Sequence, residues 1–136
     1  MSLQPQAQYT VPIETANVAR AVFPQGNLCI TMSERLSEFI DDEMFSHLFK
    51  AKGQPAESPW RLTLVTILQF VEGLSDRQTA DAVRSRIDWK YLLCLELTDT
   101  GFNHTVLSEF RRRLVNANAE RFIFENFYSF ARIRAG

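Results

Sequence analysis

The chain has 136 residues, with 15 basic and 16 acidic side chains that leave a formal net charge of −1. With 46% hydrophobic and 23% charged residues, two cysteines, five glycines and five prolines, it is neither a disordered chain, a collagen-like fibre nor a disulfide scaffold. A chain of this length buries roughly 68% of its unfolded surface, enough for one apolar core.

In chain order, residues 1–13 read as an N-terminal arm and residues 14–136 as one helical domain. Met1 to Tyr9 is polar and uncharged, which is not the pattern of a signal peptide. No apolar run approaches the roughly 18 residues that cross a bilayer, so a cytoplasmic protein without membrane association is expected. Glu14 to Phe23 is a candidate short helix, and Pro24, Gly26 and Asn27 form a turn. Leu36, Ile40, Met44 and Leu48 recur at four-residue spacing with Phe39, Phe45 and Phe49 beside them. They predict one kinked helix or two abutting ones, with Asp41 or Asp42 capping the second. Lys50 to Glu57 reads as a linker.

Ser58 and Pro59 form a helix start, the hydroxyl as cap and the proline at a position whose N–H is not needed. Trp60, Leu62, Leu64, Val65, Ile67, Leu68, Phe70 and Val71 cover most of the circumference of the helix that follows. It reads as the central buried helix, ending at Gly73. Ser75 and Gln78 match the capping box of another, with Ala80, Val83 and Ile87 as its inner stripe. Asp88 is a candidate cap for a short helix holding Trp89, Leu92, Leu93 and Leu95, which ends before the loop Thr98 to Gly101. A helix from about Asn103 or Thr105 to Val115 and a last, aromatic helix from Ala119 to about Arg134 complete the pattern. Nothing alternates as a strand does. The expected fold is all-α, a compact bundle of six or seven helices without a sheet.

Charge marks one segment. From Thr105 to Gly136 six arginines face three glutamates, although the whole-chain pI is about 6. On the helix near Thr105, Val106, Leu107, Phe110 and Leu114 share one sector, while Thr105, Ser108, Arg112 and Arg113 spread over the opposite side. Arg111, Arg112 and Arg113 together would project guanidinium groups that fit phosphates or a guanine edge. The bland alternative is a solvated face paired with Glu109 at helical spacing. Residues 75–87, 89–95 and 105–115 have the proportions of a helix-turn-helix-like unit. Arg77, Arg84, Arg86 and Lys90 add positive charge there. The candidate DNA-binding set is therefore Arg111, Arg112, Arg113, Thr105, Ser108, Arg77 and Lys90.

In the last helix, Phe122, Phe127 and Phe130 read as core. Phe124, Tyr128 and Ile133 are left as a candidate interface. Cys29 and Cys94 have no ligand spacing and read as buried free thiols. Asp41, Asp42 and Glu43 spread around a helix instead of converging on a metal. There is no phosphate loop, no histidine pair at metal spacing and no nucleophile elbow.

Ser75-Asp76-Arg77-Gln78 with Ala80, the block Asp88-Trp89-Lys90-Tyr91-Leu92-Leu93, and Leu107-Ser108-Glu109-Phe110-Arg111-Arg112-Arg113-Leu114 carry a family likeness. Residues 34 to about 134 resemble the N-terminal domain of InsH-type insertion-sequence transposases. In that family a ribonuclease-H-like domain follows, with three acidic residues that hold two metal ions for strand cleavage and transfer. The resemblance implies a non-catalytic region that recognises transposon ends and helps assemble the transposase. The divalent metal would belong to the catalytic domain, so no cofactor is expected here. The implied partners are double-stranded DNA and a second copy or the full-length transposase. An oligomerisation or inhibitory module acting through the aromatic C-terminal helix is the alternative.

Overall fold

The computed structural model describes residues 10–36 and 58–116, together with Asn118, Arg121 and Glu125. Among the described residues there are six α-helices and no strand: α1 (Ile13–Val22), α2 (Leu28–Glu34), α3 (Pro59–Glu72), α4 (Asp76–Ser85), α5 (Ile87–Leu93) and α6 (His104–Asn116). The all-α expectation holds for them. The kinked helix or helix pair expected from Leu36 to Phe49, except Leu36 itself, the linker over 50–57, residues 1–9 of the arm, and most of the helix expected over 119–134 lie outside the described residues. Phe124, Tyr128 and Ile133 are among these.

The chain divides into two compact units, Met1–Leu36 with Asp81–Gly101, and Ser37–Ala80 with Phe102–Gly136. In the first unit α5 packs against α1 and α2. Its Trp89, Leu92 and Leu93 are buried, as are Ala19, Cys29 and Met32 on the helices it meets. The turn at Gly26 takes a left-handed φ of 75° and hands over to Asn27, whose side chain caps α2 by accepting from the Ile30 N–H at 3.1 Å. The same Asn27 side chain donates to Asp88 Oδ2 at 3.0 Å. Arg86 Nε and Nη2 donate to the two oxygens of Asp88 at 3.1 and 2.9 Å, and the Trp89 N–H donates to Oδ1 at 2.9 Å. Asp88 is thus not the helix cap that its position suggests. It sits inside the first turn of α5 as a buried acceptor, because the N-cap is Arg86 and α5 begins at Ile87, two residues earlier than a cap at Asp88 would set. Arg86 also lies over the Trp89 ring at 5.3 Å. Cys29 and Cys94 are buried free thiols as expected, and Cys94 ends α5 in the left-handed conformation.

Gly101 closes this unit. Its φ is +79°, and a Cβ there would stand 3.0 Å from Val83 Cγ1, while its N–H donates to Asp99 Oδ1 at 2.8 Å. Gly101→Ala carries both a left-handed penalty of about 1–2 kcal/mol and a steric clash. Chemical denaturation should show a loss of at least that size; an unchanged midpoint would mean that this turn relaxes freely.

In the second unit α3 packs against α6. Pro59 occupies the start of α3, but the Ser58 hydroxyl makes no cap bond, so the proline alone marks this boundary. Trp60, Leu62, Leu64, Val65, Ile67 and Leu68 are buried, as predicted. Phe70 and Val71 are not: they are 61% and 41% exposed, because the last turn of α3 emerges into solvent with Glu72 and Gly73. Gly73 then stops the helix at φ 66°. The capping box forms as read from the sequence, with Gln78 N–H donating to Ser75 Oγ at 3.1 Å and Ser75 N–H donating to Gln78 Oε1 at 2.9 Å.

Candidate nucleic-acid interface

α6 is anchored by Leu107, Phe110 and Leu114, all 3% exposed or less. These recur at three- and four-residue intervals and so lie on one face. Burying three such side chains contributes roughly 1.5–3 kcal/mol each, which fixes the helix and leaves Thr105, Ser108, Glu109 and Arg112 exposed. The expected separation of an inner apolar face from an outer polar one is present.

The three consecutive arginines do not behave alike. Arg111 turns sideways and binds Asp76, the first residue of α4, with two parallel bonds: Nη1 to Oδ1 and Nη2 to Oδ2, both 2.7 Å. Gln69 Nε2 donates to Asp76 Oδ1 at 2.9 Å and to the Leu74 carbonyl at 3.1 Å, and Ser108 Oγ donates to Asp76 Oδ2 at 3.1 Å. One carboxylate thereby ties the end of α3, the start of α4 and the middle of α6. The Arg111 bonds hold the Asp76 carboxyl well below the usual carboxylate range against its partial desolvation, and the Gln69 and Ser108 bonds add to this. The same pairing raises the Arg111 guanidinium pKa, so it stays charged. The expectation that Arg111 projects outward as a free cation is corrected: it is a latch.

Arg112 and Arg113 share Glu109. Arg112 Nη2 pairs with Glu109 Oε1, and Arg113 Nε meets Oε2 at 3.4 Å. The side chains of Arg112, Glu109 and Arg113 are 67%, 46% and 21% exposed. The exposed Arg112 pair at helical spacing contributes little, and Arg113 is half-buried. For Arg112 and Arg113 the structure thus shows the alternative that the sequence offered beside an open cationic stripe, a face paired with Glu109 at helical spacing.

Of the other expected contacts, Thr105 is exposed at the first turn of α6, with its N–H bonded to Asn103 Oδ1 at 2.9 Å. Arg77 is exposed on the first turn of α4, next in the chain to the latch carboxylate. Lys90 is not on the surface. It is 2% exposed in the first unit, and its Nζ donates to the Asp99 carbonyl. Burial pushes its ammonium pKa down, against the charge of Asp99, which raises it. Its place among the contact residues is therefore withdrawn, because an interior ammonium held by a loop carbonyl cannot reach a phosphate. Asp76 and Gln69 are the residues that sequence reasoning missed. Asp76 did stand in the Ser75-Asp76-Arg77-Gln78 block, but with no partner assigned to it.

Among the described residues no group of three or more His, Cys, Asp or Glu is placed to hold a metal ion. No described helix is long and apolar enough to cross a membrane. Residues 17–113 match the family described as Transposase domain (DUF772). No curated protein and no solved structure matches the chain.

Proposed function

Since the chain belongs to this transposase domain family, matched over residues 17–113, we propose that it serves transposition by binding transposon-end DNA through the outer face of α6. Thr105, Arg112 and Arg113 make the contacts, Arg77 adds a phosphate contact from α4, and Ser108, whose hydroxyl donates to Asp76, meets DNA as an acceptor at a base-edge amino group. Arg111 acts from behind as a positioning residue. The observation that carries this reading is the build of α6. Its apolar face and the Asp76 latch hold the helix, and exposed guanidinium and hydroxyl groups stand on the side away from Leu107. Guanidinium forks fit phosphate oxygens and guanine edges. The role is one of binding and not of strand cleavage, in keeping with the engagement of Asp76, Asp81, Asp88 and Glu109 by arginines. For a part in transposase assembly, the support among the described residues is apolar surface at Val71 and Val115.

The test is salt dependence. For a duplex from the ends of the element, the logarithm of affinity should fall with the logarithm of salt by about 0.9 per neutralised phosphate. The double variant Arg112→Ala, Arg113→Ala should flatten that slope by up to about 1.8, with helix content retained. An identical slope in both proteins rejects α6 as the DNA-binding element.

A further inference from the structure

Each arginine of α6 has a carboxylate beside it, but the two carboxylates differ in kind. Asp76 belongs to α4, is 23% exposed, and fixes Arg111 with a double bond pair backed by Gln69 and Ser108. Glu109 belongs to α6 itself, is 46% exposed and bridges both Arg112 and Arg113. Three guanidiniums against two carboxylates leave this surface with an excess of one positive charge, well short of what three uncompensated arginines would offer a polyanion.

Resting on the DNA reading above, we infer that Glu109 is a selectivity-determining residue, an internal competitor that suppresses binding to duplex of arbitrary sequence. A phosphate that takes Arg112 or Arg113 comes within reach of Glu109, which engages one nitrogen of each guanidinium, so the carboxylate stands beside the DNA backbone and repels it. The same carboxylate meets no such opposition at a base edge, where a cytosine amino group donates to an acidic side chain while an arginine reads the paired guanine. Phosphate-only contact is therefore penalised and base-edge contact is not. The geometry supplies the reach: Glu109 lies three and four residues before the two arginines, so all three side chains share one patch of the helix.

The probe is a labelled pool of random-sequence 30-base-pair duplex, titrated with the full chain by fluorescence anisotropy across a salt series. Glu109→Gln keeps the size and removes the charge. It should bind the pool about three- to tenfold more tightly at low salt, the range expected when the two pairs are removed. The slope against salt should steepen by up to about 0.9, and the two proteins should converge at high salt as the charges are screened. Glu109→Asp, which keeps the charge, should stay near wild type. Unchanged or weaker binding by Glu109→Gln, with helix content intact, overturns the inference. If wild type binds and the Arg112→Ala, Arg113→Ala variant does not, that result leaves the DNA reading standing. Absence of binding by wild type and by every variant overturns both.

Discussion

Asp88→Ala should be the most damaging conservative-sized change in the first unit, lowering stability by about 3 kcal/mol. Asp88 is 3% exposed and accepts from Asn27, Arg86 and the Trp89 N–H. Deleting it strands the Asn27 amide that otherwise joins the start of α2 to α5, and it leaves the Arg86 guanidinium without its carboxylate. Removing one partner of a buried ion pair typically costs about 3–5 kcal/mol. The Arg86 side chain is 38% exposed and regains some hydration, which moves the expectation to the lower end. Thermal unfolding should show a fall of roughly 10 °C for a domain of this size. Asp88→Asn should fall between, because its carbonyl still accepts one bond while its amide faces Arg86. A shift of 2 °C or less in Asp88→Ala would show that α2 and α5 are held by apolar packing alone.

This cluster also shows what a sequence cannot convey. Capping by Ser75 and Gln78, and the stop at Gly73, depend on residues within one turn of each other, and local chemistry specifies them completely. α2 has a local start signal in Asn27, but its seven residues are too few for an apolar period to stand out. The role of Asp88 depends on Asn27, 61 positions away, so position alone suggested a cap. Lys90 likewise looked like surface charge until α5 placed it in the interior.

For α6 the helical wheel already separates the three arginines. At 3.6 residues per turn Arg111 lies only about 40° from Leu107, on the flank of the buried face, whereas Arg112 lies about 140° away. The wheel marks Arg111 as half-inward, but nothing in the local sequence names its partner, because Asp76 is 35 positions distant.

Replacing Asp76 should therefore weaken the second unit in a way that depends on pH. The folded carboxyl titrates below the usual range, chiefly because Arg111 donates to both its oxygens, while in the unfolded chain an aspartate titrates near about 3.9. The folded state consequently holds fewer protons than the unfolded one over the acid interval between those two values, and stability falls as pH falls. The contribution of Asp76 is fully present above about pH 4 and disappears as pH drops through the lower, folded value. Two charge-assisted bonds to a partly exposed arginine place that contribution at about 1–2 kcal/mol. Asp76→Asn should be less stable than wild type by this amount at pH 7, and the difference should shrink progressively below pH 4 in urea unfolding series. Parallel curves for the two proteins down to pH 2 would show that the latch contributes no net electrostatic stability. Loss of the latch should also reach the outer face of α6. Asp76→Asn removes the counter-charge of Arg111, which keeps Gln69 Oε1 at 3.5 Å as a neutral partner, so it should bind random duplex more tightly at low salt even as it becomes less stable. Opposite movement of stability and affinity would show that Asp76 supports the fold while its charge masks Arg111 from a polyanion.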